Sequence, residues 1–334
     1  MPDALLVVTV LVALGFDFTN GFHDTANAIA TSISTRALSP RQAVLLSAVL
    51  NLAGAVVTVA FFQAKVSNTI GQIVAFKASL VVILAALLGA ITWNLLTWYF
   101  GLPSSSTHAL VGGLIGAATA EAGGLGGVRW SQFGKVLLSL VTSPPVGFLV
   151  AALFMIGLMF AFRRVRPALL NRIFRRLQIV SAALLSFSHG ANDAQKTMAA
   201  ITLALIAGGQ LKAFKVPIWV VVLSATAIGF GTYAGGWRII RTLGWRIYKL
   251  DPATGMSAQL MGAIVIQGAT QFGLPVSTTH VVTGSVMGAG APQRLTAMRW
   301  GLGANIVTAW LLTIPAAAVV AWVIFAVLHT ARLG

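Results

Sequence analysis

Two short stretches hold most of the chemically costly side chains in this sequence. Gly21-Phe22-His23-Asp24-Thr25-Ala26-Asn27 and Ser188–Met198 (SHGANDAQKTM) each set an aspartate among amides and basic groups, inside otherwise apolar sequence. A charge in such surroundings is expensive unless it is paired or hydrated, so the default reading of Asp24 and Asp193 is a site for substrate, ion or proton. The competing reading is a structural polar cluster between helices. Asp17 lies seven residues before Asp24, which on a continuous helix places both on one face; for Asp17 the two readings stand level. Asn20, Asp24 and Asn27 fall at i, i+4 and i+7, one stripe of a helix, and His189, Asp193 and Lys196 form the matching stripe later in the chain. Asp17, Asn20, Asn27, His189, Asn192 and Lys196 are therefore the candidates for handling a coupling cation or proton. No resident metal site is expected. Gly21 and Gly190 open these stripes and weaken helical continuity, so broken helices with free backbone groups are expected there.

Hydroxyl clusters supply a second kind of chemistry. Ser104–Thr107 and Ser277–Thr279 each follow Gly-Leu-Pro and precede an apolar helical run. Proline followed by Ser or Thr marks a helix start. A helix N-terminus presents unbonded N–H groups and partial positive charge, which suits an oxyanion. Ordinary capping and small-residue packing explain one such motif; a pair of them favours an anion site shared between two termini. His108 and His280 follow the clusters directly, as proton carriers or as structural histidines. Carboxylates beside an anion need a bound cation, a protonated carboxyl, or a substrate with its own proton. Hydrogen phosphate carries a P–O–H that donates to a carboxylate, and sulfate at neutral pH does not, so a site with two aspartates favours phosphate.

The elements that hold these groups are membrane helices. The chain has 334 residues, 57% hydrophobic and 8% charged, with no cysteine. Soluble domains carry roughly 25% charged residues. Long apolar runs recur, several near the ~20 residues of a spanning helix, and strand alternation is absent. An all-α membrane protein is expected, with about ten to twelve transmembrane elements. The absence of cysteine excludes disulfide and thiol chemistry, and the start of the chain reads as a first span rather than a signal peptide. The net charge of +16 is read as loop charge of the positive-inside kind rather than nucleic-acid binding.

The chain also repeats itself. Gly21–Asn27 matches Gly190–Lys196 at an offset of 169, and Gly101–His108 matches Gly273–His280 at an offset of 172. Residues 1–165 and 166–334 read as two repeats of about five apolar elements each, near 4–35, 42–62, 72–100, 109–120 and 134–162, then near 178–208, 217–235, 256–271, 280–290 and 301–328. An odd number of crossings per half inverts the second half relative to the first, the plan of many secondary transporters. With the polar loop 163–177 cytoplasmic, Arg36, Arg41, Arg238, Arg241, Arg246, Lys249, Arg294 and Arg299 fall on the same side. The basic residues then divide two to one, both termini outside.

The four motifs together resemble the inorganic phosphate transporter (PiT) family over essentially the whole chain. "GFHDTANAIATSISTRALSP" and "SFSHGANDAQKTMAAI" are similar to its duplicated signature, and "GLPSSSTHALVGGLIGA" and "GLPVSTTHVVTGSVMGAG" to its paired hydroxyl segments. The resemblance implies a secondary transporter rather than an enzyme. It would be a homodimer in the plasma (inner) membrane, surrounded by lipid, moving inorganic phosphate with a coupling cation. It implies a phosphate site at Asp24, Asp193, Ser105, Ser106, Thr107, Ser277, Thr278 and Thr279. Sodium-coupled members read N-D-x-A-N in both signatures. Here the first half reads His-Asp-Thr-Ala-Asn, and the second places Lys196 where the second asparagine would be, so an ammonium takes the place of a sodium ion. This resembles the bacterial low-affinity branch, and proton coupling is expected over sodium, with a co-transported divalent metal left open. The rivals are a sulfate or other oxyanion permease of the same fold, a sodium-coupled phosphate symporter, and an anion channel. A membrane enzyme acting on phosphate esters finds no supporting motif.

Overall fold

Hydroxyl caps and prolines set where the helices begin. Ser39 accepts from the backbone of Gln42 and Gln42 reaches back to Ser39, a capping box that opens α2 (Pro40–Phe62). Ser79, Ser105, Asp251 and Ser277 cap α4 (Leu80–Tyr99), α5 (Ser106–Glu121), α10 (Pro252–Gln271) and α11 (Thr278–Gly290). The remaining helices are α1 (Pro2–Ser34), α3 (Lys65–Gly71), α6 (Trp130–Ala161), α7 (Pro167–Ala207), α8 (Ile218–Ala234), α9 (Trp237–Arg241) and α12 (Trp300–Thr330). The computed structural model describes residues 2–75, 77–242, 244, 250–293 and 300–331, with backbone only at Pro2, Asp3, Trp300 and Leu302. Among the described residues the β structure is one isolated bridge, Val74–Val128.

Among the described residues five helices are long and apolar enough to cross a membrane: α1, α2, α4, α6 and α12. Their outer faces carry large apolar side chains such as Leu11, Phe61, Leu153 and Leu311, a surface made for lipid rather than water. The chain is an all-α, multi-pass membrane protein. Its halves correspond helix by helix, α1–α6 to α7–α12, and they interlock. α1 lies on α8 as α7 lies on α2, and α5 lies on α12 as α11 lies on α6. Each half therefore completes the other's packing.

The Gly-Leu-Pro motifs have one structural job in both halves. Gly101 and Gly273 end α4 and α10 at φ of 67° and 69°. The Gly101 and Leu102 N–H groups bond to the Trp98 and Thr97 carbonyls, both at 2.9 Å, and Gly273 and Leu274 bond to Thr270 and Ala269 at 3.0 and 2.9 Å. This is the left-handed glycine stop, with the following N–H reaching back five residues. Proline then forbids continuation. The chain turns, and the short helices α5 and α11 fold back against α4 and α10.

Three expectations are corrected. α1 and α7 run unbroken through Gly21 and Gly190. The glycines serve close helix approach instead: a Cβ at Gly21 would lie 2.5 Å from the Ile228 carbonyl of α8, and one at Gly190 would overlap the Asn51 backbone of α2. The basic segment 163–177 is loop only to Arg166. Pro167 takes the first position of α7, no breaker follows, and Arg172, Arg175 and Arg176 stand exposed on a helix. The element expected at 72–100 starts at Leu80, and the short α3 and α9 were not foreseen. Arg246, Lys249, Arg294, Arg299 and Arg332 of the charge division lie outside the described residues.

Gly190→Ala should destabilise the protein by about 1–3 kcal/mol, because neither backbone can move aside. Gly15→Ala, where a Cβ meets nothing within 4 Å, should leave stability in place or raise it. Thermal unfolding in detergent checks this; equal melting temperatures for the two variants would show that α7 and α2 can separate freely.

Candidate functional site

The stripe on α1 delivers Asp24 to the centre of the bundle, 1% exposed. Its Oδ1 meets His23 Nδ1 at 2.7 Å and accepts from Thr279 Oγ1 at 3.2 Å. Its Oδ2 accepts from Ser106 Oγ at 2.7 Å. Ser106 belongs to α5 of the same half and Thr279 to α11 of the other, so one carboxylate ties the two N-termini together. Asn27 supports this by donating to Thr279 Oγ1 at 2.8 Å.

The stripe on α7 delivers Asp193, fully buried. Its Oδ2 pairs with Lys196 Nζ at 2.8 Å, accepts from Thr278 Oγ1 at 3.2 Å, and faces His189 Nε2 at 3.2 Å. Lys196 also donates to Ser106 Oγ at 2.7 Å and Thr107 Oγ1 at 3.3 Å. A continuous path therefore runs Asp193–Lys196–Ser106–Asp24. Polar atoms of Asp24, His189 and Asp193 lie within 4.8 Å of one another. By composition that set suits a cation, and Lys196 supplies one from the chain itself. His189 is held by Asn51 through Nδ1 at 3.0 Å, and Asn51 donates on to Thr232 Oγ1 at 2.8 Å. The Asn51 backbone is also where Gly190 makes its close approach.

The N-termini of α5 and α11 meet at this cluster. Thr107 Oγ1 donates to the Val276 carbonyl just before α11, at 3.0 Å. Each terminus adds first-turn N–H groups and partial positive charge beside the acids. Ser105 and Ser277 act as the caps, accepting from the His108 and His280 backbones at 3.2 and 3.3 Å, so their hydroxyls point back along their own helices.

Other candidates lie apart from the acids. Asn192 donates to Thr270 at 2.8 Å. Asp17 sits beside Asn20 and Thr197, and neither Asp17 nor Asn20 makes a side-chain hydrogen bond of ordinary geometry. Gln195 accepts from the Val66 and Ser67 backbones and so anchors α3. His108 and His280 pack ring to ring at 4.5 Å, with His280 stacked on Trp310 at 3.8 Å; with Met287 they line an apolar cavity of about 780 Å³. His23 and Asn51 were not among the residues singled out from sequence. His23 carried a readable signal, since it stands where the resembled signature has asparagine; Asn51 carried none, being far from both motifs.

Comparison with known proteins fits this geometry. A profile of the phosphate transporter family matches residues 20–170 and again 161–321. A Bacillus subtilis protein named "probable low-affinity inorganic phosphate transporter" is 45% identical over 331 residues, covering 98% of this chain and 99% of its own. A Rhizobium meliloti protein of the same name is 47% identical over 319 residues, covering 95% and 94%. A solved structure titled "The sodium-dependent phosphate transporter" superposes with a TM-score of 0.88 at 27% identity, covering 98% of this chain and 99% of its own.

Lys196→Met would leave Asp193 without its counter-charge, and breaking such a buried pair costs about 3–5 kcal/mol. Adding Asp193→Asn should recover part of the loss, as a double-mutant cycle reads out. Wild-type melting in the single variant would show that the two groups are not held as an ion pair.

Proposed function

The chain belongs to the phosphate transporter family, and from that membership we propose that it imports inorganic phosphate by proton-coupled symport through alternating access. One observation carries the proposal: two acids, one from each half, converge with hydroxyls and two helix N-termini at a single buried cluster. Phosphate bound there would donate its P–O–H to a carboxylate and accept from Ser106, Thr107, Thr278, Thr279 and the first-turn amides. Sulfate brings no such proton and would leave a carboxylate facing its charge. Every side chain bonded to the two acids is 2% exposed or less. The cluster is therefore sealed, and substrate enters only when one half moves against the other, as mirrored repeats permit. We place the protein in the plasma membrane with its basic face inward.

Lys196 supports protons over sodium. Its ammonium takes the position of the second signature asparagine and meets Asp193, Ser106 and Thr107, oxygen partners of the kind a sodium ion would use. The sodium-coupled alternative is favoured by the name of the structural relative, and a divalent metal accompanying phosphate is a further variant of the same reading.

In proteoliposomes a proton gradient should drive phosphate accumulation, and a sodium gradient with the pH clamped should not. Arsenate should compete and sulfate should not, with or without magnesium. Lys196→Asn should weaken proton-driven uptake and introduce a response to sodium. Sodium-driven accumulation by the wild type would overturn the coupling; strong competition by sulfate would overturn the substrate.

A further inference from the structure

The two acids are compensated in different ways. Asp193 has a permanent counter-charge in Lys196 at 2.8 Å. Asp24 makes no ion pair with that ammonium, is joined to it by hydrogen bonds through Ser106 and feels it only at longer range, and its one direct basic contact among the described residues is His23. We infer that His23 takes the coupling proton and so serves as the exchangeable counter-charge of Asp24. This rests on the proton-coupled reading above and names the group that carries it out.

The hydrogen bonds around His23 accommodate either protonation state. Nδ1 faces Asp24 Oδ1 at 2.7 Å, and Nε2 faces Thr97 Oγ1 at 3.3 Å and Ser104 Oγ at 3.4 Å. Thr97 and Ser104 are 2.7 Å apart, and Thr97 Oγ1 lies 2.9 Å from the Trp93 carbonyl. With His23 neutral, Nδ1–H donates to Asp24, Ser104 donates to Nε2, and Thr97 donates to Ser104. When a proton adds at Nε2, Nε2–H donates to Thr97, Ser104 turns its hydrogen to Thr97, and Thr97 turns its own to the Trp93 carbonyl. Every donor is satisfied in both settings, so the extra proton strands no buried group. The only bond made or broken is that N–H, and the proton leaves by the same atom.

The second half supplies the contrast. Asn192 stands before Asp193 as His23 stands before Asp24. It too reaches a threonine near the end of the helix that leads into the Gly-Leu-Pro motif, Thr270 of α10, as His23 reaches Thr97 of α4. An amide holds that contact but takes no proton at neutral pH, whereas an imidazole does. The half with a fixed ammonium has the amide, and the half without one has the imidazole.

Among the described residues no other titratable group takes this role from His23. His189 lies within 4.8 Å of Asp24 as well, but its close carboxylate contact is to Asp193, which Lys196 already pairs, and its Nδ1 is held by Asn51. Asp17 lies back along α1 beside Asn20 and Thr197 of α7, and the charged groups it interacts with are Lys196 and Asp193 of the other half. Arg238 of α9 is turned onto the Trp98 and Tyr99 rings at 5.1 and 4.9 Å. α5 presents Ser106 to Asp24, while its His108 bonds Ser105 at 2.7 Å. α8 presents the Thr232 carbonyl, taken by Thr25. Coupling follows from charge. With His23 neutral, the bare Asp24 carboxylate repels an anion; with His23 protonated, the pair is neutral. Proton and phosphate then raise each other's affinity by the same factor.

The test compares wild type with His23→Asn in proteoliposomes. The first measurement is phosphate accumulation under a one-unit pH gradient with the membrane potential clamped, worth up to about tenfold for one proton per phosphate. The second is exchange of labelled for unlabelled phosphate at equal pH, which needs binding and reorientation but no net proton movement. Wild type should accumulate several-fold and exchange. His23→Asn should lose accumulation while exchange persists at a reduced rate; His23→Gln carries the same expectation if the first variant fails to fold. Accumulation retained in the folded variant overturns the proposal, as does parallel loss of both activities, which would mark His23 as structural. A wild type indifferent to the pH gradient would overturn proton coupling itself, and His23 with it.

Discussion

Two carboxylates held inside a cluster 4.8 Å across, away from water, cannot both stay charged unless positive charge comes to them. In low dielectric that repulsion far exceeds anything an exposed pair would feel. The rest of the structure answers this requirement. α7 brings Lys196 one helical turn beyond Asp193, α1 brings His23 beside Asp24, and the N-termini of α5 and α11 add partial positive charge from both repeats. On the proposed reading, a phosphate anion entering such a site meets an Asp193 already paired with Lys196 and an Asp24 that is neutralised once His23 takes its proton.

The helix packing makes the arrangement rigid enough to matter. Gly21 lets α1 touch α8, and Gly190 lets α7 touch α2 at Asn51, whose side chain then orients His189. The glycine stops at Gly101 and Gly273 aim the hydroxyl-bearing termini inward. Because the halves interlock, Asp24 is held by both, bonding Ser106 of its own half and Thr279 of the other, while Asp193 is tied to the first half through Lys196, which bonds Ser106 and Thr107. A shift of one half against the other must therefore break the Thr279–Asp24 bond and the Lys196 bonds to Ser106 and Thr107, which on the proposed reading ties substrate and proton occupancy to movement.

Much of this was legible in the sequence for definite reasons. The repeat survived as Gly-Leu-Pro and as polar stripes because backbone geometry and buried charge tolerate few substitutes. The aspartates stood out because polar groups are scarce in apolar sequence. What stayed hidden depended on long-range partners or on residues with two uses. Glycine that breaks a helix and glycine that lets two helices meet look alike in sequence, so α1 and α7 were read as interrupted. Ser105 and Ser106 are adjacent hydroxyls, yet one caps its helix and the other bridges Lys196 to Asp24. Asn51 has no local pattern to mark it, and the helical start of α7 was masked by its arginines.

The most direct measurement is an experimental structure of the protein soaked with arsenate, a tetrahedral oxyanion whose arsenic can be located by anomalous scattering. The account requires a single strong peak between the first turns of α5 and α11, within hydrogen-bond reach of Asp24 or Asp193 and of the Ser106, Thr278 and Thr279 hydroxyls. A peak elsewhere, with the two carboxylates still bonded as they are here, would contradict it.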